Sequence, residues 1–206
     1  MKIQIPENAK SFNNPIFKGI DKVVSKDALK PVMSGAYIKD GNIVATDSHV
    51  LIEIDLRYYG FTEYEINILE DCFIDNDLLK ELSALKRDQW FFLNESGFNI
   101  YKQGSGRVNK VLPFCKMSEV GIYPNYKAVI DVPKKEIDCI NFDAKYLSFI
   151  QNIWREVSLN PAGNGLKIEF GGSSRPVIVT NVNKQLDCNK KEKGKFLGLV
   201  MPIKID

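Results

Sequence analysis

Thr46, Asp47, Ser48 and His49 stand in succession and between them offer hydroxyl nucleophiles, a carboxylate and a general base. Hydrolysis by a Ser-His-Asp relay needs those groups drawn from separate elements into hydrogen-bond reach of one another. Neighbours on an extended chain point to opposite faces, so four consecutive residues cannot stack into such a relay. His49 is the only histidine, and no G-x-S-x-G elbow is present. The tetrad therefore reads as structural, with His49 as a packed histidine and not a base. No Walker loop, Rossmann glycine pattern or H-E-x-x-H occurs, and Gly104-Ser105-Gly106 reads as a turn. Cys72, Cys115, Cys139 and Cys188 are scattered without a C-x-x-C pair, which points to reduced thiols and no metal. The expectation is a protein without enzymatic activity and without a cofactor.

Cations offer a different chemistry. Lys18, Lys22 and Lys26 recur at i, i+4 and i+8, so on a helix they form one stripe away from the apolar face. Ammonium groups in a row can follow a phosphate backbone and release its counterions without reading sequence. A plain solvated helix face explains the same spacing. Lys80, Lys86 and Arg87, then Lys145 and Arg155, repeat the pattern more weakly on two further helices. The net charge of +2 does not decide the matter, because placement counts for more than the sum.

The chain has 206 residues, 44% hydrophobic and 26% charged, the balance of an ordinary globular protein. No apolar run reaches the roughly 20 residues that span a bilayer. The N-terminal segment lacks an apolar signal core. A cytoplasmic protein with no membrane association is expected.

Three amphipathic helices should carry these side chains. The first is predicted from about Asn14 to Lys26, with Ile16, Phe17, Ile20, Val23 and Val24 as its buried stripe. The second runs from about Asn76 to Arg87 behind Asp75, and the third follows Asp143. Most of the remainder reads as strands. Asp40-Gly41 marks a hairpin between 36–38 and 42–45. Strands are also predicted over 49–56, 89–93, 98–103, 166–170, 176–182 and 197–205, with Pro202 suggesting an edge or a bulge in the last. Residues 74–85 and 142–153 form a weak internal repeat, each a helix followed by a strand, a turn and a strand. A boundary is placed near Asp131-Val132-Pro133, and residues 184–195 read as an exposed basic loop.

Three landmarks then line up with a family. Asp27 to Ile38, followed by Gly41 to Leu51 with Ala45-Thr46-Asp47-Ser48-His49, resembles the middle domain of the bacterial β sliding clamp (the DNA polymerase III β subunit). Tyr123-Pro124-Asn125-Tyr126 is similar to that family's F-P-D-Y segment. Val200-Met201-Pro202-Ile203-Lys204-Ile205 is similar to its V-M-P-M-R-L terminus. The resemblance implies an α+β, DNA-clamp-type fold, antiparallel sheets with amphipathic helices on one face. It implies a complete clamp-type domain over 1–131 and a truncated one over 132–206. It also implies helices facing double-stranded DNA and a cleft for clamp-binding peptides of polymerase or repair proteins. Matched residue by residue, that cleft would use Thr46, Ser48, Val50, Leu51, Leu199 and Met201, although the same residues can simply pack an interdomain seam. Val50 stands where the family has arginine, and Ser48 where it has glycine. The function implied is a non-catalytic replication accessory (a processivity factor), with a homo-oligomer as one assembly. An adaptor or competitor that does not encircle DNA is the alternative.

Overall fold

The computed structural model describes residues 10–11, 16–27, 29–86, 88–105, 107–130, 142–157, 166–171, 175–181 and 196–202. After a short strand β1 (Lys10–Ser11) comes helix α1 (Ile16–Asp21). The apolar stripe predicts this helix as far as Lys26, but it stops at Asp21. The amides of Val23 and Val24 still turn back to Ile20, whereas the Ser25 amide donates to Met33 O at 2.8 Å. Val23 and Val24 are thus buried from a turn and not from a helix face.

Strands β2 (Ala36–Lys39) and β3 (Asn42–Thr46) form the expected hairpin. Asp40 and Gly41 sit at φ of 52° and 77°, the pair of left-handed residues that a two-residue turn of this kind requires. Strand β4 (Val50–Asp55) and a 3-10 turn lead to helix α2 (Glu63–Leu69). Apolar spacing does not pick out α2, but its start is written in Thr62-x-x-Glu65. Glu65 Oε2 accepts the Thr62 amide at 2.8 Å, and Thr62 Oγ1 accepts the Glu65 amide. Strand β5 (Cys72–Ile74) enters α3 (Asn76–Ser83), where Asp75 caps the Leu78 amide at 2.8 Å. That helix ends four residues short of Arg87, which lies outside the described residues.

Next come β6 (Gln89–Asn94), β7 (Gly97–Lys102), β8 (Val108–Leu112) and β9 (Cys115–Lys116). Two single-turn helices follow, α4 (Met117–Val120) and α5 (Lys127–Ile130). The long helix α6 (Ala144–Val157) starts where Asp143 predicts it. Strands β10 (Leu166–Phe170), β11 (Val177–Asn181) and β12 (Phe196–Val200) close the described chain. The boundary predicted near 131 and the basic stretch 184–195 fall outside the described residues.

Two antiparallel sheets result. One has the order β1-β6-β7-β8, the other β10-β11-β12-β4-β3-β2-β5-β9. Strand β12 is not the edge strand that Pro202 suggests. It lies between β11 and β4 and ends at Val200, so no ladder bond needs the proline nitrogen. Helix α1 packs against both α3 and α6, which gives a layer of helices. The main core lies between this layer and the sheets. At its centre Phe17 meets Phe91 and Phe98 edge-on, with ring centroids 5.8 Å away in both cases. Ile150, Ile153, Trp154, Val179 and Phe196 join the same core as Ile16 and Ile52.

Strand alternation divides β4 cleanly. Val50, Ile52 and Ile54 face the main core, whereas Leu51 turns to a second apolar cluster on the outer face. That cluster holds Val44, Leu51, Phe73, Met117, Tyr123, Tyr126 and Leu199. No helix among the described residues is long and apolar enough to cross a membrane.

Candidate functional site at the β4–β12 junction

The β4–β12 register sets Leu199 directly across from Leu51 and Val200 across from Val50. The ladder continues one step further, because the Met201 amide donates to His49 O at 3.1 Å. Thr46 is the cross-strand partner of Leu51. Thr46, Leu51 and Leu199 therefore share the outer face, by register and alternation, and Met201 follows just beyond the end of β12. Leu51 and Leu199 are buried there, and Met201 is 39% exposed. Val50 is not brought to them. It is 1% exposed and belongs to the helix-side apolar core, where an arginine's charge would be costly to bury.

Thr46 is committed to its own turn. Its hydroxyl donates to Val50 O at 2.7 Å and accepts the Ser48 amide at 3.1 Å, while Asp47 Oδ1 accepts the amides of His49 and Val50. This loop bends Ser48 to a φ of 82°, a conformation that suits glycine. Ser48→Gly is expected to raise the unfolding free energy by about 0.5–1 kcal/mol. The relief is roughly 1–2 kcal/mol, partly offset by the freer unfolded glycine. Urea titration measures it, and a loss of stability would show that the serine's side-chain bonds outweigh the strain.

His49 is exposed, contrary to the expectation of a packed histidine. Its ring stacks on Tyr146 of α6, with centroids 5.8 Å apart and planes 11° from parallel. Neither Thr46 nor Ser48 is hydrogen-bonded to it, so the tetrad forms no relay.

Sequence reasoning missed the residues that extend this surface. Ser48 Oγ lies 3.8 Å from Met33 Sδ and accepts Lys30 Nζ at 2.7 Å. Gly121 lies against Val32, which brings the 91%-exposed Ile122 beside the loop that carries the 89%-exposed Leu29. Only the fold reveals that Leu29 and Ile122 stay in water. Beyond them Tyr37 donates to Asp71 at 2.7 Å, and Lys39 bridges Asp71 and Glu70. Desolvation and that carboxylate push the Tyr37 hydroxyl up to about 12. The same contacts, led by the Tyr37 hydrogen bond, hold Asp71 below the usual carboxylate range.

On the helix layer the predicted cations have unequal fates. Lys18 and Lys22 belong to or directly follow α1, but Lys26 lies beyond its end, so the three do not form one helical stripe. Lys22 meets Glu156 at 2.9 Å, Lys80 meets Asp77 at 3.7 Å and Lys145 meets Asp143 at 2.7 Å. Lys18, Lys26, Lys86 and Arg155 are exposed and have no ion-pair partner among the described residues. No cluster of three or more potential metal ligands is found among the described residues.

This arrangement of outer antiparallel sheets, one layer of helices and a continuous β12–β4 ladder defines the DNA sliding-clamp fold. It superposes on the DNA polymerase sliding clamp of Bacillus subtilis with a TM-score of 0.62 at 14% identity, covering 98% of this chain and 66% of that one. The clamp of Bartonella birtlesii, solved with griselimycin bound, gives 0.59 at 13% identity, covering 98% and 68%. The β subunit of Thermotoga maritima gives 0.56 at 12% identity, covering 100% and 68%. The chain thus spans about two thirds of the length of these clamps. No protein-family model and no curated protein sequence matches it significantly.

Proposed function

We propose that the protein is a non-catalytic, clamp-like accessory of DNA replication that captures short peptides at the β4–β12 junction. One observation supports this reading: β12 is zipped onto β4 on a clamp fold, which sets the buried Leu199 across from the buried Leu51 and the exposed Met201 one step beyond, at the His49 carbonyl. A flexible thioether at the rim of an aliphatic floor suits peptide side chains of varied shape. In this reading residues 1–131 form a complete clamp-type domain, 132–206 supply a truncated second one, and their seam is the site. Sequence-independent contact with double-stranded DNA falls to the helix layer through Lys18, Lys26, Lys86 and Arg155. A homo-oligomer belongs to the same reading, and light scattering reports it.

The adaptor or competitor that does not encircle DNA gains support from the neutralised cations Lys22, Lys80 and Lys145. Peptide capture is common to both. Titration with a leucine- and phenylalanine-containing peptide should give saturable binding, weakened about 5–10-fold by Met201→Ala, which removes most of one exposed side chain from the contact. Binding that ignores Met201→Ala would move the peptide site away from this junction.

A further inference from the structure

Lys30 stands beside this junction with a charge that no carboxylate among the described residues answers. Its ammonium donates to the Ser48 hydroxyl at 2.7 Å, and no acid lies within ion-pair distance of it among the described residues. Other lysines of the sheet region are engaged. Lys39 bridges Glu70 and Asp71, Lys127 pairs with Asp40, and Lys116 donates to Glu70 O. Asp27, three residues before it, and Asp47, next to Ser48, are turned into their own loops. Asp27 Oδ1 accepts the Leu29 amide, and Asp47 Oδ1 accepts those of His49 and Val50. A neutral hydroxyl is a weaker partner for an ammonium group than a carboxylate, so the bond to Ser48 is readily exchanged. The apolar rim is close at hand, because the same Ser48 hydroxyl touches Met33 and the adjoining His49 carbonyl binds the Met201 amide.

We propose that Lys30 selects the occupant of the junction: a short peptide whose apolar side chains are flanked by an aspartate or glutamate, which takes the ammonium group from Ser48. This rests on the reading of the junction as a peptide site. Apolar contacts supply the floor, and the carboxylate sets direction and preference.

The test uses fluorescein-labelled, C-terminally amidated peptides containing Gly-Leu-Leu-Phe-Gly, with Asp or Asn placed at each flanking position in turn. Anisotropy titration of the full chain is expected to show at least one Asp peptide binding about 5–10-fold tighter than its Asn twin at low salt. That preference should shrink towards parity near ~0.5 M salt. Lys30→Gln should abolish the preference while the Asn peptide keeps its affinity within about twofold, and Lys30→Arg should restore it. Equal binding of every Asp and Asn pair, alongside Met201-dependent affinity, overturns the role of Lys30 and leaves the peptide site standing. A preference that appears only for peptides with a free C-terminus overturns the side-chain source. If no peptide binds, both readings fall together.

Discussion

Cutting Phe17 back to alanine is expected to lower the unfolding free energy by about 3–5 kcal/mol, a large share of what holds a domain of this kind together. Phe17 is 1% exposed and lies edge-on to both Phe91 and Phe98, which in turn pack on each other with centroids 5.6 Å apart. Removing it deletes two aromatic contacts worth about 0.5–1.5 kcal/mol each and opens a void that a close-packed interior cannot fully close. Position adds to size, because α1 touches both α3 and α6 and so links the two ends of the helix layer. Equilibrium urea unfolding measures the effect, with the exposed Tyr64→Ala as a control expected to change stability by less than about 0.5 kcal/mol. A loss below about 1 kcal/mol for Phe17→Ala would show that the core is organised around other residues.

The second large effect concerns DNA and follows from the proposed function. Reversing Lys18, Lys26 and Arg155 together to glutamate is expected to reduce affinity for a double-stranded oligonucleotide by at least about 100-fold near ~50 mM salt. The slope of log affinity against log salt should fall by roughly 0.9 for each phosphate contact removed, about 2.7 for three. Lys22→Ala is expected to do much less, because its charge is already spent on Glu156. These expectations separate the two readings of the protein. Wild-type binding that is weak and indifferent to the triple reversal would leave the adaptor reading alone. An equal loss from Lys22→Ala would show that the bridge to Glu156 opens when DNA arrives.

Much of the architecture was legible because its signals are local. Asp75 before a stripe of leucines marks the start of α3, Asp143 does the same for α6, and Asp40-Gly41 fixes the hairpin. The first helix misled because Val23 and Val24 keep apolar spacing after the backbone has left the helix for a bond between Ser25 and Met33. Helix α2 went unread since its signature is a capping box and not a long apolar face. Fold membership was visible through landmarks, and the structural likeness to sliding clamps agrees with it. The site was only half legible. Leu51 and Leu199 do share one apolar cluster, yet Val50 next door faces the other way, a distinction set by pleat parity that a motif cannot express. Lys30 was invisible because its interest lies in having a hydroxyl and no carboxylate as its partner among the described residues. Arg87 lies outside the described residues.

The β12–β4 ladder also has a consequence for how the molecule is made. Phe196 pairs with Ile54 across about 140 residues of chain, so this contact is among the most distant in sequence that the fold contains. On a ribosome β2, β3 and β4 emerge and can form their meander long before β12 exists. Until it arrives, the outward side of β4 is an open edge with Leu51 uncovered, a template for stray strand pairing. Docking of β12 closes that edge and completes the junction in one step. The surface proposed to recruit partners is thus assembled late, and an incompletely synthesised chain would have nothing to offer them.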